Sequence, residues 1–132
     1  MTIFRETYTV VYAHSLPSFP EGHKCRAVHG HTANITLDVE ADAGENGYAF
    51  DHAELDVAVA PALRRIDHHY INDIPGLEDG LAESLLAWLV ERFKRSVAPL
   101  HGKLTRVELH ELSSGSTFRL VDHVKIWTPS AS

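Results

Sequence analysis

The sequence has 132 residues, of which 44% are hydrophobic, and this content fits one compact domain with a core of its own. Its formal net charge is −6, with 12 Lys and Arg against 18 Asp and Glu, which argues against a nucleic-acid or membrane-surface binder and favours a small-molecule partner. We expect a single domain over residues 1–127 and a tail over 128–132. The single cysteine, the lack of a signal segment and the lack of an apolar run near the roughly 20 residues that span a bilayer predict a cytoplasmic protein outside the membrane.

The first predicted element is a strand that ends at His14. Aromatic and β-branched side chains share one face of it with His14, namely Phe4, Tyr8, Val10 and Tyr12. We therefore expect His14 to end an inward face. The following loop, 15–28, is longer than a plain hairpin turn, and loops of this size in compact domains tend to be functional. It contains the only cysteine, Cys25.

The second predicted strand begins with the motif His29-Gly30-His31. Downstream of it, apolar residues alternate with polar ones and share a face with both histidines: Ala33, Ile35, Leu37, Val39 and Ala41. If the two strands pair as an antiparallel hairpin, the end of the first lies opposite the start of the second, and His14 joins the pair. Three neutral imidazoles with an open fourth position are typical of a catalytic zinc site.

Other interpretations of these residues stay open on residue type alone. A histidine on an apolar face is often a satisfied core or surface residue, and a free cysteine is often an inert buried thiol. Other metal families with two histidines at this spacing fit badly. A cupin expects a glutamate soon after the pair and some hydrolases expect Asp-His, whereas Thr32, Ala33 and Asn34 follow here.

The first predicted helix opens at Asp51 and Glu54, which form a capping-box pattern. Its apolar face is spaced as in a helix: Leu55, Ala58, Val59, Ala62, Leu63 and Ile66. Pro61 lies inside it and should remove one hydrogen bond and bend the helix near Val57. After the helix comes Asp67-His68, where an aspartate can orient and tune an imidazole for acid–base work, or both residues can simply cap the helix.

The second half of the chain predicts a helix over 81–97, a strand over 104–112 and a last strand over 116–123. Glu111 shares the apolar face of the first of these strands, and a carboxylate there is costly unless something pairs with it. Glu111 is therefore a candidate binding residue, unless its strand lies at an edge and the face is misassigned. The order ββααββ predicts an α+β fold, a four-stranded, mostly antiparallel sheet with two helices on one face.

Two motifs resemble the 6-pyruvoyltetrahydropterin synthase family, and in particular its 6-carboxytetrahydropterin synthase branch. The first is Pro20-Glu21-Gly22-His23-Lys24-Cys25, followed after three residues by His29-Gly30-His31. The second is Ile66-Asp67-His68-His69-Tyr70-Ile71-Asn72-Asp73-Ile74-Pro75-Gly76. The resemblance implies the T-fold, in which subunits join their sheets into a barrel and share active sites. A homo-oligomer, specifically a hexamer, is the implied assembly.

The resemblance also implies an activity and roles for individual residues. The implied reaction is the zinc-dependent conversion of 7,8-dihydroneopterin triphosphate to 6-carboxy-5,6,7,8-tetrahydropterin, acetaldehyde and triphosphate, on the route to queuosine. By match to the family's motifs, His14, His29 and His31 would hold Zn²⁺, and Cys25 would accept a proton. His68, oriented by Asp67, would transfer protons, and Glu111 would anchor the pterin ring.

The sequence departs from the family's pattern in three places. Gly80-Leu81 stands where relatives usually have Pro-Thr, Leu112 stands where a threonine usually follows the anchoring glutamate, and His52 replaces an aromatic residue. The first two departures lie near the ligand in relatives, so two alternatives stay open. One is a 6-pyruvoyltetrahydropterin synthase or a related pterin aldolase or epimerase, and the other is a zinc- or pterin-binding module without catalysis.

Overall fold

Residues 1–120, the part of the chain that the computed structural model describes, form one sheet and two long helices. The strands are β1 (Thr2–His14), β2 (His29–Ala41), β3 (His69–Tyr70), β4 (Lys103–Glu111) and β5 (Ser116–Arg119), and the helices are α1 (His52–Ile66) and α2 (Ala82–Val97). The predicted α+β fold with the long elements in the order ββααββ is confirmed. The predicted tail, 128–132, and the end of the last predicted strand, 121–123, lie outside the described residues.

The sheet has the strand order β3-β1-β2-β4-β5. The four predicted strands, β1, β2, β4 and β5, pair antiparallel with one another, as expected. The two-residue strand β3, which was not predicted, pairs parallel to β1 at Tyr12 and Ala13 and makes the sheet mixed. This short pairing places the turn after α1 at the outer edge of β1.

The hairpin of β1 and β2 sets the position of the predicted histidines. It pairs Thr2 with Ala41 at one end and His14 with His29 at the other. Alternate residues of both strands are buried against the helices, because the apolar period of two matches the pleat of a strand. On the far side of β2, β4 runs antiparallel and ends with Glu111 opposite Ala33. The histidines and Glu111 therefore lie at the same end of the sheet.

Helix α1 begins as its sequence predicts. The Asp51 carboxylate accepts a hydrogen bond from the Glu54 backbone N–H at 3.0 Å, and the Glu54 carboxylate accepts one from the Asp51 N–H at 3.5 Å. This capping box satisfies two of the backbone donors that a helix start leaves unpaired. Pro61 lies inside the helix, which continues to Ile66. Pro61 and Val57 are both exposed, so water can bind the carbonyl that loses its partner.

Both helices pack on the same face of the sheet. Their buried side chains belong to one core cluster with the inward residues of β1, β2 and β4. Leu85, Leu89 and Phe93 of α2 are fully buried, and burial of such a side chain stabilises the fold by about 1.5–3 kcal/mol relative to exposure. In residues 1–120, neither helix combines the length and apolar content that a membrane crossing needs.

Candidate metal centre and ligand cavity

The structure brings the three predicted histidines together at one end of the sheet. The centroids of the His14 and His29 rings are 4.5 Å apart, those of His14 and His31 are 4.9 Å apart, and those of His29 and His31 are 5.2 Å apart. One nitrogen from each ring lies within 4.8 Å of the other two. These distances suit three ligands of a single metal ion.

Each of the three imidazoles is held by its Nδ1 atom. The Nδ1 of His14 lies 2.7 Å from the Gly80 carbonyl oxygen, and that of His29 lies 2.8 Å from the Ala27 carbonyl oxygen. The Nδ1 of His31 lies 2.6 Å from the Ser113 hydroxyl. A carbonyl oxygen only accepts hydrogen bonds, so the neutral form of each of His14 and His29 that fits these contacts has its proton on Nδ1 and a lone pair on Nε2. Such partners behind a ring are usual for metal-binding histidines.

The Nε2 atom of His14 supports a bound metal ion most directly. Among the described residues, it is a buried nitrogen without a hydrogen-bond partner. A buried polar atom left unpaired costs free energy, and a cation at this point would remove that cost. Burial also lowers the pKa of His14, which favours the neutral ring that a metal ion requires. The donor set therefore fits a metal ion.

Gly80 supports His14 through a backbone conformation that other residues rarely adopt. Its φ is +68°, and a Cβ atom at this position would lie 2.0 Å from the Ser15 carbonyl oxygen. Glycine is therefore the residue that lets the chain bring this carbonyl to the His14 ring. The departure at Gly80 is thus part of the support of the metal centre.

A cavity of about 720 Å³ opens in front of the three histidines. Cys25 lines it from a short 3₁₀ turn over Lys24–Arg26, and Glu111 lines it from the end of β4. The Cys25 backbone N–H donates to Nδ1 of His23 at 3.1 Å, which holds the turn. Apolar side chains supply further walls: Leu16, Phe19, Leu81, Ala82 and Phe118. An apolar cavity with a few convergent polar groups is typical of a small-molecule site.

Glu111 is buried, as its face of the strand predicts, and it has a partner that the sequence did not indicate. The hydroxyl of Tyr12 donates to its Oε2 atom at 3.0 Å. The same oxygen lies 3.4 Å from Nε2 of His31. Burial, and after it the Glu111 carboxylate, raises the pKa of Tyr12, so the phenol stays protonated and donates. The alternation of apolar residues along β1 places Tyr12 on the inward face but does not predict its hydrogen bond to Glu111.

The predicted catalytic pair Asp67 and His68 lies elsewhere, and neither residue lines the cavity. The Asp67 carboxylate lies 3.1 Å from Nδ1 of His68 and accepts a hydrogen bond from the Val11 backbone N–H at 2.9 Å. The bond from Val11, and after it the contact with His68, lowers the pKa of Asp67. His68 has a φ of +61° and a side chain that is 77% exposed. The two side chains therefore contact each other at the outer edge of β1.

The other residues that depart from the family's pattern also have defined places in the structure. Leu81 lines the cavity directly, whereas Leu112 is 47% exposed at the turn after β4. His52 begins α1, where its ring packs at 4.8 Å from the ring of Phe4 and its Nδ1 contacts the Glu6 carboxylate. His52 does not line the cavity. Among Leu81, Leu112 and His52, Leu81 is the residue that lines the cavity.

Comparison with known proteins assigns the family. The chain matches the family model described as 6-pyruvoyl tetrahydropterin synthase over residues 3–121. The chain belongs to this family. A 6-carboxy-5,6,7,8-tetrahydropterin synthase from Synechocystis sp. is 31% identical to it over 105 residues, which cover 75% of this chain and 80% of that protein. The resemblance of the two sequence motifs to this family is thereby confirmed.

Solved structures of family members share the fold. The 6-pyruvoyl tetrahydropterin synthase of Caenorhabditis elegans superposes with a TM-score of 0.74 at 17% identity, over 90% of this chain and 95% of that one. The corresponding enzyme of Plasmodium vivax gives a TM-score of 0.63 at 15% identity, over 91% and 98% of the two chains. The predicted T-fold is thereby confirmed for the single chain of this family member.

Proposed function

We propose that this protein is a zinc-dependent lyase that converts 7,8-dihydroneopterin triphosphate and water to 6-carboxy-5,6,7,8-tetrahydropterin, acetaldehyde and triphosphate. The observation that carries the proposal is the convergence of three imidazoles on a cavity that also holds Cys25 and Glu111. The similarity to the Synechocystis protein, which bears the name of this activity, supports the choice of reaction. We place the reaction on the route to queuosine in the cytoplasm.

His14, His29 and His31 would hold the zinc ion. When bound, zinc would supply Lewis-acid stabilisation of negative charge on the substrate's side-chain oxygens. The contacts at Nδ1 restrict the rotation of the three rings, so little reorganisation would be needed on binding.

Cys25 is the proposed base. It is a free, partly buried thiol that lines the same cavity as the three histidines. As a thiolate it would take the proton from the carbon next to the substrate's side-chain oxygens. Glu111 would accept hydrogen bonds from the amino-pyrimidine edge of the pterin and hold that carbon in front of the thiolate.

Asp67 and His68 would act in the cavity of a neighbouring subunit. Their exposure at the outer edge of β1, away from the cavity of their own chain, supports this placement. We propose a homo-oligomer, specifically a hexamer, in which sheet edges join between subunits and bring His68 to a second chain's ligand. There His68, oriented by Asp67, would return or shuttle protons.

Product analysis tests the reaction. The zinc-loaded protein is mixed with 7,8-dihydroneopterin triphosphate, and the products are separated and identified by mass spectrometry. We expect 6-carboxytetrahydropterin with acetaldehyde. Formation of 6-pyruvoyltetrahydropterin, or of an aldolase or epimerase product, would instead indicate a paralogue of shifted specificity, for which Leu81 on the cavity wall is the structural reason. Binding of zinc and a pterin without turnover would indicate a non-catalytic module.

A further inference from the structure

Tyr12 is the residue through which the sheet holds the Glu111 carboxylate. It lies two residues before His14 on the same face of β1, and it is 2% exposed. Its ring centroid is 5.6 Å from that of His14 and 6.0 Å from that of His31, so the ring packs directly behind the metal centre. From this place its hydroxyl reaches across β2 to the end of β4.

The Glu111 carboxylate has few other partners among the described residues. Its Oε1 atom is 3.5 Å from the Ser114 hydroxyl, at the limit of hydrogen bonding, while Tyr12 donates to Oε2 at 3.0 Å. The remaining polar neighbour is Nε2 of His31 at 3.4 Å, the nitrogen proposed to face the metal ion. The Tyr12 hydroxyl therefore supplies the short hydrogen bond that restricts the rotation of the carboxylate.

We infer that Tyr12 is a positioning residue that sets the orientation of Glu111 and thereby the selectivity for a ring edge with two adjacent N–H donors. With one lone pair of Oε2 engaged by the phenol and one of Oε1 facing the Ser114 hydroxyl, one lone pair on each oxygen stays available to a ligand. A carboxylate fixed in this way accepts two parallel hydrogen bonds, as a 2-aminopyrimidinone edge offers. The inference rests on the proposed function, in which Glu111 receives the pterin.

The test compares two ligands that differ at one atom group. Pterin carries a 2-amino group, whereas lumazine is the same ring system with oxygen in its place and so lacks one of the two donors. Their dissociation constants are measured by calorimetry on the zinc-loaded wild type, Tyr12→Phe, Glu111→Gln and the double variant. Tyr8→Phe is the matched control, because Tyr8 lies on the same face of β1 and donates to Asp56 at 2.7 Å, away from the cavity.

The wild type and Tyr8→Phe should bind pterin at least about tenfold more tightly than lumazine. In Tyr12→Phe we expect about tenfold weaker pterin binding and a smaller loss for lumazine, so that the preference falls about fivefold with zinc content unchanged. Equal losses for both ligands, or an unchanged preference, would overturn the role of Tyr12. A purely structural role predicts the equal losses, because it has no reason to distinguish the 2-amino group.

Failure of the proposed function would look different. If the wild type shows no preference for pterin, or if Glu111→Gln keeps the preference, Glu111 is not the anchor and both proposals fall. If Tyr12→Phe does not fold, the role of Tyr12 is tested by comparing Glu111→Gln with the double variant. The double variant should still fold, since it buries no unpaired carboxylate. Tyr12 acting through Glu111 predicts the same pterin-to-lumazine ratio in both, and different ratios would refute it.

Discussion

The two groups of predicted site residues lie in very different surroundings. The three histidines are buried or half-buried inside one chain, and each has its Nδ1 atom held by a neighbouring carbonyl or hydroxyl oxygen. Asp67 and His68 have side chains that are 39% and 77% exposed, at the turn after α1. The first group is arranged to bind a ligand within one chain, whereas the second is open to solvent at the edge of the sheet.

In the proposed reaction, the metal is bound within one chain, whereas proton transfer by His68 requires the assembled oligomer. Metal binding needs nitrogen lone pairs that are already oriented toward the ion. The histidines at the end of the β1–β2 hairpin would provide these lone pairs within a single chain. Proton transfer by His68 needs contact with a ligand that its own chain holds elsewhere. Changes at the histidines should therefore act on the isolated subunit, and changes at His68 should act through assembly.

The largest effect is expected from His29→Ala. Removal of one of three ligands should reduce bound zinc after dialysis from one per chain to a small fraction and lower turnover by roughly a thousandfold or more. Metal analysis and a steady-state assay measure the two quantities. His52→Ala is the matched control, because His52 is exposed and outside the cavity. This variant should keep the zinc content and the turnover of the wild type. Full zinc content in His29→Ala would contradict the proposed ligand set.

The next effect tests the division between subunits. Cys25→Ala and His68→Ala should each lower turnover by roughly a hundredfold or more while keeping their zinc, since each removes one proton-transfer group. When the two inactive variants are unfolded together and refolded, mixed oligomers should regain activity, because some cavities then pair an intact Cys25 with an intact His68. Turnover is measured against the mixing ratio.

Two outcomes would contradict this division. Turnover that does not recover in the mixture would mean that Cys25 and His68 act in the same chain or that one of them is not needed. Unchanged turnover in zinc-loaded Cys25→Ala would remove the thiol from the mechanism altogether.

The comparison also shows what the sequence can predict. The alternation of apolar and polar residues along β1 and β2 predicts that His14, His29 and His31 point inward, because the side-chain period of a strand is two. The register of the hairpin then brings the end of β1 next to the start of β2. The capping box at Asp51 and Glu54 is similarly local. Both features depend on residues that are neighbours in the sequence or in one hairpin.

What the sequence does not show depends on contacts between distant segments. The Gly80 carbonyl and the Ser113 hydroxyl belong to loops that are far along the sequence from the histidines that they hold. Loop residues have no hydrophobic periodicity from which such contacts could be predicted. The bond from Tyr12 to Glu111 joins residues 99 positions apart across an intervening strand. Strand β3 has two residues, too few for any pattern, and it pairs where the His68 backbone N–H donates to the Val11 carbonyl oxygen.

A smaller effect should follow from Ser113→Ala. It removes the Nδ1 partner of His31 at 2.6 Å without touching the metal ion, so the ring gains freedom to rotate. We expect about tenfold weaker zinc affinity in a chelator competition, with the fold unchanged. Ser96→Ala is a suitable control, since Ser96 bonds a backbone carbonyl within α2, away from the cavity. Equal affinity in the wild type and Ser113→Ala would show that this contact does not orient His31.

The smallest effect concerns the exposed pair. The pKa of Asp67 is lowered in the folded chain, so its charge stabilises the fold above the ordinary carboxyl pKa, about 3.9, and this contribution is lost as the pH falls toward the folded value. Asp67→Asn keeps an acceptor for the Val11 N–H but has no charge to lose. Between pH 4 and pH 3, the wild type should lose slightly more stability than the variant, by under about 1 kcal/mol, because the carboxylate is partly exposed.

Urea unfolding at both pH values measures the difference. A larger loss in Asp67→Asn than in the wild type would mean that the charge of Asp67 does not stabilise the fold.

Anomalous diffraction at the zinc edge, from crystals of the zinc-loaded protein, tests the metal centre most directly. We predict one strong peak per chain at the end of the β1–β2 hairpin, about 2.0–2.1 Å from the Nε2 atoms of His14, His29 and His31. Cys25 and Glu111 should remain uncoordinated and face the open position. A peak at any other group of residues, or none at these three rings, would contradict the central claim.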